Sequence, residues 1–301
     1  MASRARAVHV AQATDPPELD PFPMTAHHFT VDVEEYFHAN ALEPYAPRYE
    51  WDGLASRVEA GTDAILELLG ERGVHGTFFV LGWVARRRPE LVRRIAAAGH
   101  EVASHGWGHR RVTELSPEQF RRSVRATRAE LEDVAGCEVV GYRAPSFSIV
   151  PRTEWALDVL VEEGYRYDSS IFPGRPGSGW EAAERDPHRV QRAAGGLDLV
   201  PPATVRVGGR TLPAGGGAYF RLFPYRLCAA ALRQAAARGA SGTFYVHPWE
   251  VDPEQPRFDV PLLTRVRHYG GLRNTLPRLR RLVSEFRFQP IARTLALAEA
   301  A

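Results

Sequence analysis

Short apolar runs alternate with amphipathic segments along most of the chain. The runs have the length and the Val, Phe and Tyr content of buried strands, and they cover residues 28–33, 76–81, 101–104, 139–142 and 242–246. The segments between them repeat apolar positions at helical spacing, and they cover residues 61–72, 89–98, 116–134, 153–163 and 221–238. This alternation predicts an α/β fold in which helices cover a parallel sheet, either a barrel or a doubly wound sheet.

The pattern is interrupted at both ends and once in the middle. Residues 172–196 are rich in Gly, Pro and charge without any periodicity, which predicts a long surface loop near the site. A last helix is expected at 276–286. We therefore predict a disordered leader at 1–25, one domain at 26–290 with a C-terminal extension from about residue 250, and a tail at 291–301.

Composition excludes several classes of protein. The 301 residues are 44% hydrophobic, which is enough for a substantial core, and 38 basic residues nearly balance 36 acidic ones. A formal charge of +2 gives no reason to expect nucleic-acid binding. All the basic residues are Arg, so Schiff-base chemistry and a phosphate-loop lysine are excluded. With only Cys137 and Cys228, neither a disulfide framework nor a thiolate metal site is expected.

Neither a signal peptide nor a membrane segment is visible in the sequence. The N-terminal residues are broken by Asp and Pro where a signal peptide needs an apolar run. The longest apolar stretches are interrupted well before the roughly 20 residues that a membrane helix needs. We expect a cytoplasmic protein, or one exported by a route that the sequence does not show.

Residues suited to catalysis follow several of the predicted strands. In a barrel the carboxyl ends of the strands meet on one face, where active sites form. The residues in such positions are Asp32, His105, His109, Arg143, Asp168 and His247. Each also has a plain structural interpretation, but their shared placement predicts one site.

Two histidines four residues apart predict a metal site. His105 and His109 could both reach one divalent ion, and a carboxylate from Asp32, Glu34 or Glu35 would complete a set of two histidines and one carboxylate. A loop with two solvated histidines is the alternative. Gly106 stands where the zincin motif requires Glu, so that type of metalloprotease is not expected.

The remaining candidates suit proton transfer and its support. His247 follows an apolar strand and is a plausible proton donor, because histidine titrates near neutral pH. Asp168 could orient His247, or it could form an ordinary turn or helix cap with the two serines that follow. Arg143 could pair with Asp32 and fix its orientation, or it could lie on a surface loop.

At these residues the sequence resembles the polysaccharide deacetylases of the NodB-homology type, also called carbohydrate esterase family 4. The similarity runs from about Phe29 to His247. Within this family the sequence most resembles the branch associated with exosortase and extracellular-polysaccharide gene clusters. The motifs that carry it are TVDVEEYF at 30–37, RAPSFS at 143–148, YDSSIFP at 167–173, HPWE at 247–250 and RHY at 267–269.

The resemblance implies a fold, a cofactor and a role for each candidate. It implies a distorted (β/α) barrel that binds Zn²⁺ or another divalent ion through His105 and His109. Asp32 would be the general base and His247 the general acid. The remaining implied roles are that Arg143 orients Asp32, that Asp168 supports His247, and that a backbone N–H near Ser146 stabilises the oxyanion.

The sequence departs from the broad family where a carboxylate ligand is expected. The usual Asp-Asp pair is replaced by Asp32-Val33-Glu34-Glu35, so the metal ligand could be Glu34 or Glu35, and we predict Glu34. Gly106 and Ser146 also replace the usual residues without removing a ligand.

The function predicted is metal-dependent removal of N-acetyl groups from amino sugars of a polysaccharide or oligosaccharide, in extracellular-polysaccharide biosynthesis. The alternatives are a metal-independent amidohydrolase acting on a small cyclic amide and a glycan-binding relative without catalysis.

Overall fold

A mainly parallel sheet forms the centre of the computed structural model, which describes residues 25–297. Its strands are short, and most are buried along their whole length. In chain order the strands are β1 (His27–Val33), β2 (Thr77–Val80), β3 (Glu101–Ser104), β4 (Gly141–Tyr142), β5 (Tyr167–Asp168), β6 (His188–Arg192), β7 (Gly195–Leu199), β8 (Thr204–Val207), β9 (Arg210–Pro213), β10 (Thr243–Val246) and β11 (Phe288–Gln289).

The strand order confirms the predicted distorted barrel. The main sheet runs β10-β1-β2-β3-β4-β5-β7-β6, with β11 beside β1, and only β6 is antiparallel to its neighbour. Strands β8 and β9 form a separate hairpin. The free edge of β10 is met by two isolated parallel bridges, from Pro202 to Thr243 and from Gly216 to Tyr245. These bridges join the two ends of the parallel sheet into a distorted ring.

Helices follow most of the strands and cover the outside of the sheet. They are α1 (Val58–Gly70), α2 (Gly82–Arg87), α3 (Pro89–Ala97), α4 (Pro117–Ala135), α5 (Trp155–Glu162), α6 (Gly217–Leu222), α7 (Tyr225–Ala237), α8 (Leu262–Tyr269), α9 (Leu272–Glu285) and α10 (Ile291–Thr294).

The longest helix shows how local sequence sets these boundaries. Ser116 and Gln119 form a capping box at the start of α4, and Gly136 ends the helix in the left-handed region at φ +68°. Its buried positions, including Phe120, Val124 and Leu131, face the sheet. Every buried apolar side chain of this kind contributes roughly 1.5 to 3 kcal/mol to folding.

The structure corrects several of the predicted boundaries. The predicted loop at 172–196 contains β6, an edge strand that the sequence pattern did not reveal because Val190 is its one apolar residue. Helix α8 was not predicted, and α9 begins at Leu272 instead of residue 276. The predicted tail is also wrong at its start, since Ile291 is fully buried and opens α10. The predicted leader lies outside the described residues apart from Thr25.

None of the described helices has both the length and the apolar character needed to cross a bilayer.

Candidate active site

A cleft of about 440 Å³ lies where the carboxyl ends of the central strands converge. Most of its polar residues lie at or shortly after the carboxyl ends of buried strands. Among the residues that line the cleft are Asp32, Glu34, His105, His109, Ser146, His247 and Trp249. Arg143 and Asp168 also lie at strand ends, but they are buried beneath the cleft lining.

Three buried side chains form a group suited to a divalent metal ion. Glu34, His105 and His109 each offer one ligand atom, and these atoms all lie within 4.8 Å of one another. Glu34 Oε2 lies 2.7 Å from His109 Nε2 and 3.8 Å from His105 Nε2. That oxygen is buried and accepts no hydrogen bond of acceptable geometry. A buried carboxylate oxygen without a hydrogen bond is costly, and a cation among these atoms would compensate the cost.

The two histidines are held with Nε2 towards Glu34. His105 Nδ1 lies 2.9 Å from the carbonyl oxygen of Arg143, which fixes Nδ1 as the protonated nitrogen and leaves the Nε2 lone pair free. His109 adopts φ +52°, an unusual backbone conformation for a residue other than glycine. Arg48 donates to the carbonyl oxygens of Gly108 and His109 and thereby braces this turn.

The protonation states fit a metal site. Burial lowers the pKa of His105 to about 4, so its imidazole is neutral at pH 7. Burial alone would raise the pKa of Glu34, but the charges of His109 and His247 outweigh burial and lower the pKa. Glu34 is therefore a carboxylate beside a neutral imidazole, as ligand chemistry requires. One carboxylate and two imidazoles form the donor set expected for Zn²⁺ or a similar ion with an open coordination position.

Glu35, the alternative ligand, has a structural role instead. Its carboxylate accepts from the hydroxyl of Ser56 and from the backbone N–H groups of Arg57 and Val58, at 2.9 and 3.2 Å for the latter two. These bonds satisfy the free N–H groups at the start of α1. The structure therefore places Glu34, not Glu35, with the two histidines.

Asp32 is paired with Arg143 beneath the cleft. Arg143 is fully buried and donates from Nη1 to Asp32 Oδ1 and to Thr30 Oγ1, both at 2.7 Å. It also donates from Nη2 to Ser169 Oγ at 2.8 Å. This network fixes one oxygen of Asp32, while Oδ2 lies 3.8 Å from His247 Nε2 across the cleft. Asp32 and Arg143 thus meet as the sequence led us to expect.

His247 is oriented by a carboxylate three residues further along the chain. Its Nδ1 lies 2.5 Å from Glu250 Oε1, which leaves Nε2 to face Glu34 at 3.6 Å. Glu250 is fully buried and is itself paired with buried Arg221. Burial alone would lower the pKa of His247, but the negative charges of Glu34 and Glu250 raise it to about 9. His247 is therefore a cation at neutral pH and can donate a proton.

The prediction that Asp168 supports His247 is wrong. Asp168 accepts from Ser170 Oγ at 2.5 Å and from the Ser170 backbone N–H at 2.9 Å, and it makes no described contact with His247. Burial raises the pKa of Asp168 to about 7. Its role is the turn after β5, where Ser170 Oγ also accepts from the backbone N–H of Ala144. The local interpretation of Asp168 was the correct one.

A strained turn beside the cleft presents a free backbone donor. Ser146 and Phe147 both adopt positive φ, at +59° and +54°. The Phe147 N–H donates to the carbonyl oxygen of Ala144 at 3.0 Å, whereas the Ser146 N–H has no hydrogen bond to any described residue. Strain of this kind costs about 1–3 kcal/mol and concentrates at functional sites.

Sequence reasoning assigned no role to several residues of the site. Glu250 stands in the quoted HPWE motif, so its spacing from His247 could have indicated it. Trp249 stacks on His247 at 5.1 Å and on His268 at 4.4 Å between ring centroids, and its Nε1 donates to Glu34 Oε1 at 3.2 Å. No local pattern marked Arg221, because its partner lies 29 residues away.

Two family models match adjacent parts of the chain. Residues 51–167 match the polysaccharide deacetylase model, and residues 169–296 match a domain of unknown function, DUF3473. A chitooligosaccharide deacetylase of Sinorhizobium fredii is 38% identical over 145 residues, which are 48% of this chain and 59% of that protein. One from Rhizobium leguminosarum bv. trifolii is 40% identical over 99 residues, 33% of this chain and 43% of its own length. The chain thus spans about half the length of these relatives.

Solved structures share the fold over almost the whole chain. A Mycobacterium smegmatis protein classed with the polysaccharide deacetylases superposes with a TM-score of 0.62 at 22% identity, covering 98% of both chains. An allantoinase superposes with a TM-score of 0.58 at 16% identity, covering 95% of this chain and 97% of its own. At these identities the superpositions establish the fold alone. Residues 51–167 therefore match the polysaccharide deacetylase family, and the whole chain shares the fold of these solved structures.

Proposed function

We propose that the protein is a metal-dependent deacetylase that hydrolyses the N-acetyl group of an amino sugar in a glycan. The observation that carries this proposal is the group of Glu34, His105 and His109, which lies in one cleft with Asp32 and His247. A metal set, a carboxylate base and a protonated imidazole are the groups that hydrolysis of an unactivated amide needs. Curated relatives that act on chitooligosaccharides support the same class of substrate.

Glu34, His105 and His109 would hold the divalent ion, with Zn²⁺ as the first choice. When bound, such an ion polarises the amide oxygen as a Lewis acid and lowers the pKa of water. Two observations fit such an ion. Glu34 Oε2 is buried without a hydrogen bond, and the Nε2 atoms of His105 and His109 lie 3.8 and 2.7 Å from it.

Asp32 would act as the general base. Arg143 holds Oδ1, so Oδ2 remains on the cleft side to accept a proton from the attacking water. The water oxygen then adds to the amide carbon and forms a tetrahedral oxyanion.

Ser146 and His247 would complete the reaction. The free Ser146 N–H can donate to the oxyanion, and one such donor is typically worth about 3 kcal/mol of transition-state stabilisation. His247 donates its Nε2 proton to the nitrogen of the breaking C–N bond, which releases acetate and a free amino sugar. The Nδ1 bond to Glu250 stabilises the imidazolium before the transfer.

The wider role that we propose is in extracellular-polysaccharide biosynthesis. This part rests on the motifs at 247–250 and 267–269, which resemble the branch found with those gene clusters. Helix α8 carries the second motif, and His268 packs on Trp249 at the edge of the cleft.

The test measures metal content and acetate release in the same preparations. We expect about one equivalent of a divalent ion in wild type, loss of that ion in the His105→Ala/His109→Ala variant, and acetate release from N-acetylated chitooligosaccharides. Asp32→Asn should retain the metal and lose activity by about a hundredfold or more. Wild-type turnover by Asp32→Asn, or a metal-free protein that hydrolyses a cyclic amide such as allantoin, would contradict the proposal.

A further inference from the structure

Two arginine side chains line the cleft without a carboxylate partner. Arg175 is half-buried, and Nη1 makes its one described hydrogen bond, to the carbonyl oxygen of Ser146 at 2.5 Å. Arg267 also lines the cleft, where it is exposed, and its side chain has no described hydrogen bond or ion pair. A guanidinium group presents several donors in a planar fork that matches a carboxylate. Most of those donors are unused here.

The other charges of the cleft are already compensated. Asp32 is paired with Arg143, and Glu34 faces His105 and His109. Among the described residues, no further Asp or Glu lines the cleft. The cationic lining residue Arg221 is neutralised by Glu250. The charges of Arg175 and Arg267 therefore remain for a ligand, although the net charge of the whole chain is only +2.

The two arginines come from two separate segments of the chain that meet at the cleft. Arg175 lies in the segment between β5 and β6, and Arg267 lies on α8. Both belong to the region that matches the domain of unknown function. The carbonyl oxygen of Arg267 accepts from Arg221 Nη2 at 2.9 Å, so the backbone that carries this side chain is fixed. Anchored cations beside a cleft form a preorganised anion site.

We infer that the glycan bound in this cleft is anionic, and that Arg175 and Arg267 recognise a carboxylate on the same oligosaccharide as the acetamido group. This inference rests on the proposed function and specifies its substrate class. A neutral chitooligosaccharide has no group that could replace the missing carboxylate partners. A glycan that contains uronic-acid residues or carboxylated substituents does.

The test compares the binding of two oligosaccharides that differ by a carboxylate substituent. Fully N-acetylated chitotetraose, called chitotetraose below, and its O-carboxymethyl derivative are titrated calorimetrically into the metal-loaded protein, so the readout does not depend on turnover. We expect the carboxylated form to bind at least about fivefold more tightly, as one charge-assisted hydrogen bond at a partly exposed site would give. Raising the salt from low to 0.5 M should weaken binding of the carboxylated form only.

Variants test whether the side chains of Arg175 and Arg267 cause the preference for the carboxylated oligosaccharide. Arg267→Gln and Arg175→Gln should each reduce the ratio of the two affinities towards one. Arg226→Gln is the matched control, because Arg226 is exposed on α7, lies outside the cleft and has no described side-chain partner. It should retain the wild-type ratio. A purely structural role of Arg175 would change both affinities equally and would leave the salt dependence in place.

Three results would overturn the inference: equal affinities, no binding of the carboxylated form, or a preference unchanged in both variants. Acetate release is measured separately on both oligosaccharides. Release from chitotetraose without a charge preference would uphold the proposed function and reject the anionic substrate. A charge preference without acetate release from either oligosaccharide would uphold anionic binding and reject the proposed deacetylase function.

Discussion

His247 Nδ1 lies 2.5 Å from Glu250 Oε1, and this contact determines which nitrogen of the imidazole faces the cleft. With the Nδ1 proton held by the carboxylate, Nε2 is directed at Asp32 and Glu34. Glu250 is in turn held by Arg221, whose guanidinium also bonds the carbonyl oxygens of Arg267 and Gly270. The C-terminal extension is therefore connected to His247 through two buried charges, those of Arg221 and Glu250.

Glu250→Gln should lower kcat by about tenfold and leave KM within about twofold of wild type. The substitution keeps the size of the side chain and removes the charge that raises the pKa of His247. A proton donor loses activity as pH rises through its pKa, so the alkaline limb of the pH–rate profile should move to lower pH. Acetate release measured between pH 6 and 10 gives both quantities.

Asp168→Asn provides the control for that experiment. Asp168 is similarly buried, but the described hydrogen bonds of its carboxylate all come from Ser170, so its variant should keep the wild-type position of the alkaline limb. A shift of the limb in Asp168→Asn but not in Glu250→Gln would reverse the assignment made here.

Substitutions of the neighbouring residues Glu34 and Glu35 should have different effects, one on metal binding and the other on stability. Glu34→Gln removes the charged ligand and should abolish binding of the divalent ion at micromolar concentration. Glu35→Gln should retain the ion and lower the free energy of unfolding by roughly 0.5–2 kcal/mol, because it weakens the cap of α1. Elemental analysis and urea unfolding of both variants test this. Metal loss in Glu35→Gln alone would show that the ligand is misassigned.

Buried His28 should contribute to acid unfolding. Burial, with the charges of His27 and Arg143, lowers its pKa to about 3, while an unfolded chain has the ordinary value of 6.5. A lowered folded-state pKa gives stability that is complete above pH 6.5 and is lost as pH falls towards 3. The loss from this residue between pH 7 and 4.5 should be about 2–3 kcal/mol.

His28→Gln tests that contribution, because glutamine cannot ionise in this range. The variant is expected to be less stable than wild type at pH 7, since the bonds to Thr243 and Thr294 are disturbed. Its further loss of stability on acidification to pH 4.5 should be smaller than that of wild type. Parallel pH dependences, measured by urea unfolding, would exclude His28 as a contributor.

The barrel was predictable because most of its central strands and covering helices carry their own sequence signal. Apolar runs such as 242–246 and helix ends such as Gly136 are local features, and parallel pairing brings the strand ends together. Asp32, His105 and His247 could be placed in one site for this reason. The choice between Glu34 and Glu35 needed the structure, since the side chains of two consecutive residues after a strand point in different directions that sequence spacing alone does not determine.

Other parts depended on contacts between distant residues. Glu250 had to be distinguished from Asp168 as the partner of His247, and both are carboxylates just after predicted strands. The two buried carboxylates differ in what compensates their burial. Glu250 has a buried cation, Arg221, beside it, whereas Asp168 accepts hydrogen bonds from the neutral donors of Ser170. Strand β6 was missed because its pairing with β7, not its own composition, keeps it in the sheet.

The closure of the barrel has a consequence for its motions. Pro202 has no N–H, so the bridge to Thr243 cannot continue as a regular ladder, whereas β1 and β10 are paired over four residues. Local opening starts where backbone hydrogen bonds are fewest, so the ring of strands should open first at the junction between Pro202 and Thr243. Strand β10 borders this junction and His247 follows it directly, while Asp32 lies on the interior strand β1. The distance between His247 and Asp32 is thus the part of the site most sensitive to such fluctuations.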